Sequence, residues 1–483
     1  MTIKAPGWLL LGTAGSVLVA AGSWGAGALP LGVPGGVWGQ PGQVEMLLGF
    51  GLFYAGLVLL VAGWWWLGRL LRDGAGVSRG QQRSALLCWS LPLLPCPLLF
   101  SSDAYSYVAE GALSARGWDV YRLGPGALGG ALSANVPRMW QDTPAPYGPV
   151  FLAAARAVVA VTGEGHVVAA TMGMRLLAMA GLALAVMAVL RLAADIGGTG
   201  ARAAAGALWA TALSPLVLLH MVGGAHNDAL MLGAMMAGLV AFRRGRWVAG
   251  TVLLTTAALI KAPAGVALLC AAVVAVAGRA GWARRAWLAT GILVVAAGAG
   301  LLEVLLCRQG FGWVRTLGAP VSVRTMLSPS TDVGALLEWL ASVVGWRAGT
   351  GTLMAAARTA GLLAGSAAVV YWARRAPRTG AEYAVGMALL TVVVCAPAVQ
   401  VWYLLWGLVP LAAVSWRTLA HPVAKAATMA TFLVVMPIGV GPTWPSALAA
   451  VTGGLAAVTG LAWWWLLRGG GRAALRAAGS TLR

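Results

Sequence analysis

Stretches of about 20 predominantly apolar residues recur from one end of this chain to the other, separated by short segments rich in arginine. In lipid such a stretch has one low-energy arrangement, a helix, because a helix satisfies its own backbone polar groups. The chain is therefore expected to be an all-α, polytopic protein whose solvent is the bilayer. Composition agrees, with 60% hydrophobic and 10% charged residues among 483, where soluble domains carry roughly a quarter charged. No stretch is long or polar enough for a separate soluble unit, so residues 1–483 read as a single integral membrane domain.

The net charge of +20 invites a nucleic-acid reading, and the placement of the charges excludes it. Arginines cluster between spans, at Arg69/Arg72/Arg79/Arg83, Arg191/Arg202, Arg243/Arg244/Arg246, Arg279/Arg284/Arg285, Arg374/Arg375/Arg378, Arg417/Lys425 and Arg468/Arg472/Arg476/Arg483. The positive-inside rule makes these the cytoplasmic anchors. The spans between them are approximately 7–29, 46–70, 84–100, 166–191, 203–222, 226–242, 247–262, 263–278, 286–307, 352–373, 381–399, 402–416, 424–441 and 446–467. Fourteen crossings put both termini in the cytoplasm. The 247–278 stretch, rich in Gly and Pro, also reads as one long broken helix. The N-terminal run after Lys4 exceeds the apolar length of a signal peptide and is read as an uncleaved first helix. The five cysteines lie in or beside spans without C-x-x-C pairing and are expected to be free thiols.

Two long regions, 101–165 and 308–351, then fall on the extracytoplasmic side. Each contains an apolar segment, 147–162 and 332–346, that breaks parity if it crosses and so is expected to lie on or dip into the outer face. Most of the 13 acidic residues fall outside or near outer span ends. The chemistry is therefore expected on the outer face.

Signatures of zinc hydrolysis, NTP cleavage and serine hydrolysis are absent. The stretch Gly124, Gly126, Gly129 satisfies G-x-G-x-x-G but follows no strand, which leaves it without dinucleotide context. Asp103, in "PLLFSSDAYSYVAEG", has two readings: a helix cap, shared with Ser101 and Ser102, or a partly desolvated general base. In "SANVPRMWQDTPAPYGPVF", Trp140, Asp142 and Tyr147 sit among three prolines that hold an extended path, as a surface turn or as a platform for a sugar. "VGGAHNDALM" groups His226, Asn227 and Asp228 at an outer boundary, where polar residues are costly; capping and function both remain open. Lys261, in "AALIKAPAG", stands apart from the cytoplasmic clusters, either snorkelling or pairing with a membrane-borne phosphate. Arg138, Arg315 and Arg324 are further outer cations for a phosphate or a headgroup. Gln400, Trp402 and Tyr403 close another outer helix end, as an aromatic belt or as ligand contacts.

Taken together, "SSDAYSYVAEGALSARGWDVYRLGP", "VPRMWQDTPAPYGPVFL", "LSPLVLLHMVGGAHNDALMLG" and "ALIKAPAG" closely resemble the actinobacterial polyprenyl-phosphomannose-dependent α-1,6-mannosyltransferases of the MptB type. These are GT-C fold enzymes of lipomannan and lipoarabinomannan synthesis in the bacterial plasma membrane, and the resemblance runs from about residue 45 to the last spans. It implies that Asp103, in the first long outer loop, is the catalytic base. It implies a polyprenyl phosphomannose donor, a mannosylated glycolipid acceptor and an inverting displacement that forms an α-1,6 linkage. Lys261, Arg138 and Arg324 would meet the donor phosphate. Tyr105, Trp140, Asp142, Tyr147, His226, Asn227, Asp228, Gln400 and Tyr403 would meet donor or acceptor sugar. No cofactor and no metal are required by this scheme. Two alternatives remain: a GT-C enzyme with another sugar or acceptor, and a transporter or flippase of a lipid-linked glycan.

Overall fold

The computed structural model describes residues 6–33, 38–197, 201–318, 327–346, 351–433, 437 and 443–467. Among them the chain is helical throughout, and the one β-type contact is an isolated antiparallel bridge between Ala28 and Leu98. Six described helices are long and apolar enough to cross a membrane: Gly7–Ala26, Gln43–Arg72, Val167–Gly197, Trp282–Cys307, Thr352–Thr379 and Trp444–Trp463. A bent pair, Arg202–Ala210 and Pro215–Gly223, meets at 43° and makes a seventh if it is one span. The other expected spans are shorter helices, among them Arg79–Ser90, Asp228–Arg243, Trp247–Ile260, Gly265–Ala277, Ala381–Cys395 and Leu405–Leu419. Polar side chains and prolines at their ends stop them early. The expected span 84–100 ends as a helix at Ser90, followed by one tight turn, Leu91–Leu93. At 247–278 the chain does break, with Lys261 extended between two helices. The segment expected at 332–346 is the helix Pro329–Val343, capped by the Ser328 side chain. It exposes Leu336, Trp339, Leu340 and Val343.

Packing follows small residues. Gly7–Ala26 and Gln43–Arg72 lie so close that a Cβ on Gly56 would sit 2.6 Å from the Val19 nitrogen, the close approach that small residues allow between membrane helices. Trp64 and Trp209 stack at 4.6 Å, and each indole N–H donates to the other's backbone carbonyl at 3.0 and 2.9 Å. Buried indoles need such partners. Lipid-type surface remains on Trp282–Cys307, where Trp287, Leu293, Leu301, Leu305 and Leu306 are exposed. All five cysteines are free.

The architecture brings four chain ends together: the start of the helix Asp103–Ala115, the start of Asp228–Arg243, Lys261 after Trp247–Ile260, and the turn Val401–Leu404 before Leu405–Leu419. The helix Pro149–Thr162 packs along Asp103–Ala115 and carries Tyr147 in with it.

Candidate active site

The approach to Asp103 is built by a buried arginine that sequence reading passed over. Arg175, in the middle of Val167–Gly197 and only 1% exposed, donates to the carbonyls of Leu94 (2.6 Å), Cys96 (2.5 Å), Pro97 (3.3 Å) and Gly223 (2.8 Å). A buried charge is tolerated when hydrogen-bonded, and here both terminal nitrogens are, with only Nε left without a partner. The guanidinium thus ties the strand-like segment before Asp103 to the turn before His226. Both segments then pass through left-handed residues that are not glycine, Phe100 (φ 62°) and Ala225 (φ 53°). Strain of this kind persists where surrounding contacts over-determine the backbone. A π-helical turn, Leu218–Gly223, precedes the second, a local widening found often at functional sites.

Asp103 opens its helix, and its backbone N–H donates to the Ser101 hydroxyl at 3.1 Å. The serine supplies the local bond, which leaves the Asp103 carboxyl facing a cavity of about 470 Å³. Its side chain is 23% exposed, towards that space. Burial lifts the Asp103 carboxyl to about 6, against the pull of the Lys261 ammonium and the Ser101 bond. The cavity gathers Asp103, Trp140, Tyr147, Lys261, Gln400 and Tyr403 from four separate stretches of chain. Trp406, Ser106 and Glu110 line it as well and were not singled out from sequence.

Lys261 does not snorkel. Its ammonium donates to both oxygens of Asp228 at 2.9 Å and lies 3.4 Å from Asn227 Oδ1. The rings of Tyr403, Trp406 and Tyr147 surround it at 4.8, 5.4 and 5.8 Å. Asp228, wholly buried, also accepts from Trp406 Nε1 at 2.5 Å. Removing one member of such a buried pair costs about 3–5 kcal/mol. Asp228 is thereby committed to holding Lys261 and has little left for a sugar. His226 is buried too, stacked on Trp402 at 3.8 Å, with Nδ1 3.8 Å from Asp103 Oδ2, beyond hydrogen-bond range. Tyr107 reaches His226 Nδ1 and Asn227 Oδ1, each at 3.4 Å. The triplet thus backs the cavity wall.

Other expected residues stand elsewhere. Tyr105 is buried and donates to the Ala28 carbonyl at 2.7 Å. Arg138, Asp142 and Arg315 are exposed and outside the cavity lining. Arg324 lies outside the described residues. In the G-x-G-x-x-G stretch the first two glycines have a packing role: a Cβ on Gly124 or Gly126 would meet the Gln141 carbonyl at 2.3 or 3.0 Å, so these two seat the loop bearing Trp140.

Comparison with known proteins now decides the lineage. The family described as "Alpha-(1->6)-mannopyranosyltransferase, N-terminal domain" matches residues 9–278, and the MptB C-terminal domain matches residues 330–468. The chain belongs to this mannopyranosyltransferase family. A probable alpha-(1->6)-mannopyranosyltransferase of Mycolicibacterium smegmatis is 34% identical over 88% of this chain and 81% of its own length. An alpha-(1->6)-mannopyranosyltransferase of Mycobacterium tuberculosis is 32% identical with the same coverage. Alpha-(1->6)-mannopyranosyltransferase B of Corynebacterium glutamicum is 31% identical over 85% of this chain and 73% of its own length. No solved structure matches. In this mannopyranosyltransferase the cavity lies between the two matched regions. Asp103, Tyr147 and Lys261 come from the first, and Gln400, Tyr403 and Trp406 from the second.

Proposed function

We propose that this protein transfers mannose from polyprenyl phosphomannose to a hydroxyl of a mannosylated glycolipid, forming an α-1,6 linkage in lipoglycan core synthesis. The observation that carries the reading is the juxtaposition of a desolvated carboxyl, Asp103, and a fixed ammonium, Lys261, on one aromatic-walled cavity. The names of the relatives supply the sugar and the linkage.

The step is a single displacement. The acceptor oxygen attacks the anomeric carbon of the β-linked donor as Asp103 takes its proton, and the bond from that carbon to the phosphate oxygen breaks. An α-mannoside and polyprenyl phosphate leave. The phosphate passes from one negative charge to two, so an ammonium beside it acts more strongly in the transition state than in the ground state. Asp228 and Trp406 hold Lys261 before any donor arrives, which removes reorganisation from the step. Trp140, Tyr147, Tyr403 and Trp406 offer faces for the apolar sides of the sugar. In this scheme Arg324 is a further cation for the phosphate, while Arg138 and Asp142 serve at the loop surface.

The same reading takes the shorter apolar helices as crossings, fourteen in all. It makes residues 1–483 one GT-C domain in the plasma membrane, with the cavity on the extracytoplasmic side and both termini inside. The test is transfer by the purified protein from radiolabelled polyprenyl phosphomannose to a mannolipid, with the new linkage read by NMR. A new α-1,6 bond is expected. Movement of the lipid-linked sugar across a vesicle membrane without transfer would overturn the reading in favour of a flippase.

A further inference from the structure

On the helix Asp103–Ala115, residues 103, 106 and 110 fall at i, i+3 and i+7 and so share one face. Asp103, Ser106 and Glu110 accordingly line the cavity together. Glu110 is 3% exposed and Ser106 is 5% exposed, yet Glu110 Oε2 and Ser106 Oγ have no hydrogen-bond partner. Buried polar atoms are normally paired, and leaving two adjacent ones open on a cavity wall is costly without a polar ligand to satisfy them. Neither group is used by the base or by the phosphate cation.

The chemistry of that ligand follows from the surroundings. No cation among the described residues pairs with Glu110. Burial, reinforced by the Asp103 carboxylate, pushes the Glu110 carboxyl well up. A carboxyl group with no cation beside it, next to a serine hydroxyl, can exchange hydrogen bonds with hydroxyls, which suits a polyol and not a phosphate. The position is equally telling. Glu110 lies about 10 Å along the helix from Asp103 at 1.5 Å per residue. Lys261 is held at Asp228 and Asn227, and no ion pair joins it to Glu110. One turn further, Ser114 accepts from Gln309 Nε2 of the second outer region at 2.6 Å. The pair therefore sits between the base and the outer region, away from the phosphate end.

We propose that Ser106 and Glu110 form the subsite for the acceptor, hydrogen-bonding the hydroxyls of the hexose that carries the attacking oxygen. This rests on Asp103 being the base of a glycosyl transfer. The subsite is nonetheless testable without turnover, by NMR titration of the full-length protein in nanodiscs with α-1,6-mannobiose and no donor. Glu110→Leu is expected to weaken binding by at least about tenfold, the loss from leaving sugar hydroxyls unpaired. Glu110→Gln, which keeps a donor and an acceptor in the same shape, is expected to restore binding. Melting temperature separates binding from a merely structural role: replacing an unpartnered acid with leucine leaves stability unchanged or raises it. In turnover, Glu110→Leu raises the acceptor KM and leaves the donor KM unmoved. Mannobiose binding to Glu110→Leu within twofold of the unaltered protein, or a raised donor KM, overturns the assignment. Failure of mannose transfer by the unaltered protein, with mannobiose binding still dependent on Glu110, would count against the reaction and not against the subsite.

Discussion

Ionisation, and what each polar atom is already bonded to, govern the individual residues of the site. Asp103, lifted to about 6 by burial, can accept a proton only when ionised. The transfer rate constant kcat/KM is therefore expected to rise about tenfold per pH unit below that value and to level off above it. A rate profile for the unaltered protein checks this, and a flat profile across about pH 5 to 7 would contradict it. Arg175 makes a different prediction because it does not line the Asp103 cavity. Arg175→Leu takes the donor from the carbonyls of Leu94, Cys96 and Pro97, at about 1–3 kcal/mol for each left unsatisfied, while the Gly223 carbonyl keeps the Leu99 N–H. A lowered melting temperature in detergent and a lowered kcat are expected together, with Arg175→Lys between the two. Asp103 and Lys261 were legible from sequence because rare charges beside apolar spans demand a reason. Arg175 was not, since one arginine inside a long span looks like any other until its four carbonyls are seen. The commitment of Asp228 to Lys261, across 33 positions, was equally hidden.

At the scale of elements, the site is made by helix ends, and these depend on close backbone approach. Gly148 lets the loop that carries Tyr147 lie against the end of Trp247–Ile260. Its N–H donates to the Ile260 carbonyl at 3.2 Å, and a Cβ there would run into the Leu259 carbonyl. Gly148→Val is expected to push Tyr147 off Lys261 and cut transfer by about 10² or more, since small misplacements near a reacting centre are costly. The aromatic loop was readable as a platform from its prolines and rings. Which of its side chains face inward was not, because Trp140 and Asp142 are two residues apart and only the fold decides which of them reaches the cavity. Glu110, counted among the outer acidic residues, received no site role for a related reason: that Asp103 opens a helix was open, since Ser101, Ser102 and Asp103 all qualified as caps, and with it the shared face.

At the scale of the whole molecule, apolar patterning foretold an all-helical chain, and the positive-inside rule gave it a direction. Sequence also foretold the break at Lys261 and a separate apolar segment at 332–346, now seen as the helix Pro329–Val343. Helix lengths were less readable, because proline, polar caps and the π-helical turn shorten elements whose apolar runs look continuous. The topology predicts that a reporter inserted after Arg246 reads cytoplasmic and one inserted after Gly310 reads extracytoplasmic. The reverse result would put the cavity on the wrong face for a donor delivered outside. Whether Asp103 is the base is measured by comparing Asp103→Asn with the unaltered protein in transfer from polyprenyl phosphomannose to a mannolipid. A kcat lower by about 10²–10⁴-fold, the usual worth of a general base, is expected, with donor binding preserved. Transfer at the unaltered rate would contradict it.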